Sequence, residues 1–399
     1  MRRLPGQALF AAVLLATAVT AAPAGAESAT GYIVLLDENA PVTSVAAELG
    51  VQPVHLYESS VRGYSALMTP SDAARIAADP RVKLVQPDGV VTTTAQTLPT
   101  GVDRAEADLS PTAKIDGKDE KVDVDVAVID TGIDLDHPDL NVHTAGAKNC
   151  STGQSADDGN GHGTHVAGTI GALDNEVGVV GVAPGARVWP VRVLSNSGSG
   201  TWSDVICGID FVTANAKDIE VANMSLGGTG SDSKCGANTD VMHEAICRSV
   251  KAGVTYVVAA GNSATPTTSF VPATYEEVIT VSALADFDGK PEGGAPSTCR
   301  RDVDDTFADF SNYGEDVDII APGVCILSTW PKGERYNTIS GTSMASPHVA
   351  GAAALHKAKN PTDPPEAVKA ALLKAGTDKW TTSTDPDQAH EPLLDVAKF

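Results

Sequence analysis

Three polar residues stand where an apolar run gives way to a turn or a helix. Asp130 closes the run in Val128-Ile129-Asp130-Thr131-Gly132. His162 opens a helical pattern in Gly159-Asn160-Gly161-His162-Gly163-Thr164-His165-Val166-Ala167-Gly168. Ser343 lies between glycine and an alanine-rich helix in Gly341-Thr342-Ser343-Met344-Ala345-Ser346-Pro347-His348-Val349-Ala350-Gly351. A hydroxyl at a helix start faces unpaired N–H groups and the positive end of the dipole. That suits a nucleophile whose reaction creates an oxyanion. Such an alcohol needs an imidazole to take its proton and a carboxylate to fix the imidazole's tautomer. Asn262, ending Val257-Val258-Ala259-Ala260-Gly261-Asn262, adds an amide donor for the developing charge. Taken singly, Ser343 reads as a helix cap, Asp130 as a turn aspartate and His162 as a satisfied histidine. Their occurrence together at strand-to-helix junctions turns the balance toward nucleophilic catalysis. A metal dyad of His162 and His165 is the rival; it lacks the His-Glu-x-x-His arrangement of a zinc protease.

The elements that must position these residues alternate. Apolar runs at Val124–Ile129, Val188–Leu194, Ile219–Met224, Val254–Ala260, Val278–Ala283 and Val317–Ile320 read as buried strands. Helical patterns lie between or after them at Gly163–Leu173, Ser203–Asn215, Asp240–Ala252 and Met344–Lys357. Alternation with near-continuous apolar strands predicts an α/β fold, a parallel sheet sandwiched by helices. Its sites belong in loops at the carboxyl ends of strands. Residues 27–94 differ: strands at Gly31–Leu36, Arg62–Met68 and Val82–Val85 with short helices at Val42–Leu49 and Ser71–Ala78 predict a small α+β unit. Val91-Thr92-Thr93-Thr94 links it to the rest.

The chain has 399 residues and a formal net charge of −23, without a basic patch, which argues against nucleic acid or an anionic membrane as partner. Met1-Arg2-Arg3, the apolar run Ala8–Ala22 and Ala24-Gly25-Ala26 form a secretory signal over residues 1–26, which predicts an extracellular protein. The six cysteines all lie beyond residue 140, and an even number in an exported chain predicts disulfides. Many pairings are open. Nearness pairs Cys235 with Cys247, and elimination leaves Cys299–Cys325 and Cys150–Cys207.

These motifs, in the order Asp, His, Ser, resemble those of the subtilisin-like serine peptidases over roughly residues 95–399, and residues 31–92 resemble that family's inhibitory propeptide. The resemblance implies Asp130, His162 and Ser343 as triad and Asn262 with the Ser343 N–H as oxyanion hole. It assigns His165 and His348 to packing. It implies a substrate channel between Gly198-Ser199-Gly200 and Ser225-Leu226-Gly227, and broad endopeptidase activity on protein and peptide substrates. Leu194 and Trp202 would shape an apolar pocket, and Phe270 would narrow the pocket for the residue preceding the scissile bond (P1). It also implies a structural Ca2+ held by oxygens of Gln96, Asp139, Leu173, Asn175, Val177 and Val179. A second acidic group, Asp286, Asp288, Asp302, Asp304 and Asp305, could bind another ion or be a solvated loop, and is read as the loop. Residues 27–94 would inhibit the channel, assist folding and be cut off by the enzyme itself near Thr94-Ala95, releasing a monomeric catalytic domain of residues 95–399.

Overall fold

The computed structural model describes residues 28–89, 96–291, 293–331, 333 and 335–399. The signal segment and the Thr94-Ala95 junction lie outside the described residues. The chain divides into two compact units, Met1–Thr93 and Thr94–Phe399.

In the first unit, β1 (Thr30–Leu36), β2 (His55–Tyr57), β3 (Gly63–Met68) and β4 (Val82–Pro87) form an antiparallel sheet in the order β2-β3-β1-β4. Helices α1 (Val42–Glu48) and α2 (Pro70–Ala77) bury Val42, Val45, Ala73 and Ile76 with Val34, Leu36 and Tyr64. Thr69 caps α2 by accepting the Asp72 N–H, and Pro70 suits the first turn, where its missing N–H costs nothing.

The second unit is built on β5 (Asp125–Asp130), β6 (Lys148–Asn149), β7 (Arg187–Arg192), β8 (Val221–Met224), β10 (Thr255–Ala259) and β12 (Ile279–Ala285), all parallel, in the order β12-β10-β8-β5-β7-β6. β14 (Ile319–Pro322) joins β12 in parallel, and β13 (Thr306–Phe307) joins it antiparallel. On one face, Val126, Val128, Val221 and Val257 pack against α4 (His162–Gly171) and α7 (Thr342–Lys359). On the other, Ala127, Ile129, Met224 and Val258 pack against α5 (Trp202–Ala214) and α6 (Val241–Lys251). The strands are apolar on both sides because both sides are covered. Two small hairpin-like pairs complete the frame: β9 (Gly228–Thr229) with β11 (Phe270–Val271), and β15 (Ile326–Thr329) with β16 (Tyr336–Ile339). Short α3 (Thr100–Arg104) and the longer α8 (Pro365–Ala375) were not foreseen in the sequence pattern.

All three nearest-neighbour disulfides form: Cys150–Cys207, Cys235–Cys247 and Cys299–Cys325, with Cα separations of 5.9, 5.8 and 5.8 Å. The solvated-loop expectation for the acidic group is corrected. Asp286, Asp304 and Asp305 are buried, and Asp302 pairs with Arg300. Asp286 and Asp305 close on the buried guanidinium of Arg104 at 2.9 and 2.8 Å. Burial pushes the Asp286 carboxyl up to about 7 despite that cation.

Candidate active site

The carboxyl ends of β5, β7 and β8 and the starts of α4 and α5 line one cleft of about 700 Å3, and the start of α7 touches its Ser225 wall through Ser343. Asp130, fully buried at the last position of β5, accepts from His162 Nδ1 at 2.8 Å. That contact puts the proton on Nδ1 and leaves Nε2 as the free base. Burial pulls the His162 pKa down, but the Asp130 charge and hydrogen bond outweigh it, with a smaller push from Asp158, and the pKa ends above the ordinary value.

Ser343 occupies the first turn of α7, its hydroxyl donating to the Ser225 carbonyl at 3.1 Å. Its own N–H makes no hydrogen bond among the described residues. Asn262 sits opposite. Its Oδ1 accepts from the Thr342 N–H at 2.8 Å and the Thr342 hydroxyl at 3.0 Å, so Nδ2 is the end left for the cleft. A β-carbon built on Gly341 would lie 3.6 Å from Asn262 Nδ2 and 3.7 Å from the Ser343 N. Two donors that are unengaged among the described residues therefore share one small space beside Ser343, which is what an oxyanion requires.

Two positioning residues had no place in the sequence reading. Thr342 fixes the Asn262 amide and accepts the Gly261 N–H at 3.1 Å. Asp158, buried, accepts five hydrogen bonds: Oδ1 from the N–H groups of Asn160 and Gly161 and the Thr131 hydroxyl, Oδ2 from the Thr164 N–H and hydroxyl. It ties the residue after Asp130 to the start of the His162 helix, and its charge favours that helix end. The signal available was an aspartate just ahead of a turn-rich helix start, which is common in ordinary loops.

His165 is fully buried, its Nε2 spent on the carbonyls of Ile326 at 2.9 Å and Asn337 at 3.2 Å, and burial depresses it to about 3. His348 donates from Nδ1 to the Met344 carbonyl at 2.8 Å and is depressed by burial to about 4.

The cleft runs from His162 between Gly198-Ser199-Gly200 and Ser225-Leu226-Gly227, with Leu194 and Trp202 on its wall. Among the described residues the N–H groups of Gly200 and Gly227 make no hydrogen bond. Phe270 packs its ring against Gly227 and Gly261, behind the second wall.

The six expected calcium-binding residues gather at one loop. Gln96 Nε2 contacts the Leu173 and Val179 carbonyls at 2.6 and 3.2 Å. Asn175 Nδ2 contacts Asp139 Oδ1 at 3.0 Å, while the Val179 N–H contacts Oδ2 at 3.1 Å. Val177, at the exposed tip, gives its N–H to Asn175 Oδ1 at 3.0 Å. The Leu173 and Val179 carbonyls thus face the Gln96 amide, which a half-turn would present through oxygen, and the buried Asp139 carboxylate lies beside Asn175. The donor set fits a hard cation.

A parallel α/β sheet with serine, imidazole and carboxylate gathered at its strand ends defines a serine peptidase of the subtilisin kind. Residues 121–390 match the profile described as Subtilase family, and residues 31–94 match Peptidase inhibitor I9. The chain belongs to the subtilase family. The alkaline protease of Alkalihalobacillus alcalophilus is 38% identical over 82% of this chain and 77% of its own length. Subtilisin E of Bacillus subtilis (strain 168) is 41% identical over 71% of this chain and 67% of its own. A crystal structure of a cold adapted subtilisin-like serine proteinase superposes with a TM-score of 0.57 at 33% identity, covering 75% of this chain and 98% of that one.

Proposed function

We propose that this peptidase is a secreted, broad-specificity endopeptidase made as a self-processing zymogen. Residues 1–26 serve as signal, 27–94 as inhibitory and folding-assisting propeptide, and 95–399 as a monomeric catalytic domain. The observation that carries the reading is the 2.8 Å His162–Asp130 contact at a cleft whose Ser225 wall touches a helix-start serine, beside two donors unengaged among the described residues.

A peptide lies extended between residues 198–200 and 225–227, borrowing their free main-chain groups as an added strand would. Ser343 turns from the Ser225 carbonyl and gives its proton to His162 Nε2 as Oγ attacks the scissile carbonyl. Asp130 keeps Nδ1 protonated and offsets the imidazolium charge. Asn262 Nδ2 and the Ser343 N–H receive the oxyanion. The imidazolium then protonates the leaving amine, and water, activated by the same imidazole, cleaves the acyl-enzyme. Phe270 restricts the P1 pocket to small or aliphatic side chains.

Gln96, Asp139, Leu173, Asn175, Val177 and Val179 would hold a Ca2+ that supplies rigidity and no chemical step. Substrates are proteins and peptides, and the propeptide is the intramolecular inhibitor; nucleic acid and membrane have no role. The His162–His165 metal reading is disfavoured because the His165 ring is fully buried with Nε2 spent on two carbonyls, while His162 Nδ1 is spent on Asp130.

The test is Ser343→Ala with the parent alongside. The parent should label with a fluorophosphonate, cleave casein and lose its N-terminal segment. The variant should do none of these. Casein cleavage by pure variant, or chelator-sensitive cleavage by a parent that ignores the probe, would overturn the proposal.

A further inference from the structure

Arg192 ends β7 in register with Asp130 on β5. The next two residues return their N–H groups to the Asp130 carbonyl, Val193 at 2.8 Å and Leu194 at 3.1 Å. The chain then turns through a loop closed by the Ser195 N–H on the Ser199 carbonyl at 2.9 Å, and so reaches Gly198–Gly200 on the cleft. The buried Arg192 side chain folds back beneath that loop. Its Nε donates to the Leu194 carbonyl at 3.2 Å and Nη2 to Asn196 Oδ1 at 2.7 Å. Its Nη1 donates to the Asp157 carbonyl at 2.8 Å and the Ser155 carbonyl at 3.4 Å, in the segment that leads into α4. Asn160 makes a second crossing: Nδ2 to the Asn196 carbonyl at 2.9 Å, with Oδ1 accepting the His162 N–H at 3.2 Å.

A planar cation therefore spans two loops, one carrying a wall of the substrate cleft and the other placing His162. Its four acceptors are three main-chain carbonyls and a side-chain amide oxygen. Burying a guanidinium on neutral acceptors is costly, and only the fixed fork of arginine reaches all four at once. A lysine offers one point charge and cannot bridge both loops.

We propose that Arg192 is a positioning residue for extended substrates. It holds the 198–200 wall at the distance from residues 225–227 and from His162 that a peptide spanning several residues requires. A substrate that occupies only the P1 position does not touch that wall and is indifferent to it. This rests on the reading of the two segments as substrate walls.

The experiment compares mature parent, Arg192→Met and Arg192→Lys on two substrates with the same P1 residue: a blocked single-residue ester and a tetrapeptide anilide. Active sites are counted with the fluorophosphonate. Arg192→Met should lose about tenfold or more of kcat/KM on the tetrapeptide, mostly through KM, and less than twofold on the ester. Arg192→Lys should recover only a minor part of the loss. Equal losses on both substrates, or an unchanged tetrapeptide KM, would overturn the proposal. Should Arg192→Met fail to accumulate, Asn196→Ala removes only the Nη2 contact; it should give the same split, about threefold, and its absence is equally fatal. A parent inert toward both substrates would instead refute the peptidase reading itself.

Discussion

The proposed P1 pocket offers the most direct handle on specificity, and the residue to change is Phe270. A β-carbon built on Gly227 would meet its Cε1 at 2.4 Å, and one on Gly261 would meet it at 2.9 Å. Gly261 has φ 106°, so that side cannot yield space by gaining and moving a side chain. The ring is wedged between the segment 225–227 and the strand end that carries Asn262. Phe270→Gly clears that wedge. Burying a phenyl group in the vacated space is worth about 1.5–3 kcal/mol, an upper figure because it counts area alone. That corresponds to a rise of about ten- to 150-fold in kcat/KM for a P1 phenylalanine relative to alanine. Phe270 is half-buried, so the cavity should cost less than the ~3–5 kcal/mol of a fully buried phenylalanine. Phe270→Ala keeps more of the β9–β11 pairing and should move specificity the same way. The assay measures kcat/KM on tetrapeptides differing only at P1, with active sites titrated. A phenylalanine-to-alanine ratio within twofold of the parent's refutes the argument, as does an equal rise for every P1.

His162 is held above the ordinary 6.5 because Asp130 outweighs burial, so the neutral base is lost at a higher pH than for a free histidine. The acid limb of kcat/KM should lie above 6.5, and Asp130→Asn should move it down while lowering kcat by about 10⁴, the scale seen when a triad carboxylate is lost elsewhere; an unmoved limb contradicts the pairing. The disulfides close segments of 57, 26 and 12 residues, so in an inactive Ser343→Ala background their removal should cost about 4, 3.5 and 3 kcal/mol in that order, read from denaturant midpoints; a reversed order refutes the loop-entropy account. Chelation should lower the melting temperature and added Ca2+ restore it, by about 2.7 kcal/mol at a hundred times Kd. Asp139→Ala should abolish that response, and a response that survives the substitution places the ion elsewhere.

The central sheet was legible because β5, β7, β8, β10 and β12 are apolar on both faces, a pattern few other elements produce. Their ends moved by a residue or two: the expected strand Val188–Leu194 runs Arg187–Arg192. Strands such as β2, β6, β9 and β13 escaped because two or three residues carry no period, and only a partner defines them. Asp130, His162, Ser343 and Asn262 each sit at a junction the local pattern already marked. Thr342 did not stand out because its partner Asn262 lies 80 residues earlier, Asp158 because an aspartate ahead of a turn is common in ordinary loops, and Arg192 because half of its acceptors lie 35 to 37 residues earlier. Arg104 misled in the opposite sense: an acidic stretch reads as solvated until a buried cation some 180 residues earlier is seen to neutralise it.

The strand order has a consequence in time. β5 is the first strand of its sheet to be made and lies in the interior, and parallel neighbours can pair only after each intervening helix has been traversed. α7, which brings Ser343, packs on β8, β10 and β12 and follows every strand of that sheet in the chain. On the proposed mechanism, a growing chain that already carries Asp130, His162 and Asn262 has no nucleophile, so it cannot digest itself or its surroundings before the sheet is nearly finished. Non-local pairing of this kind also makes folding slow. The topology thus postpones the proposed nucleophile until every strand of the sheet has been made.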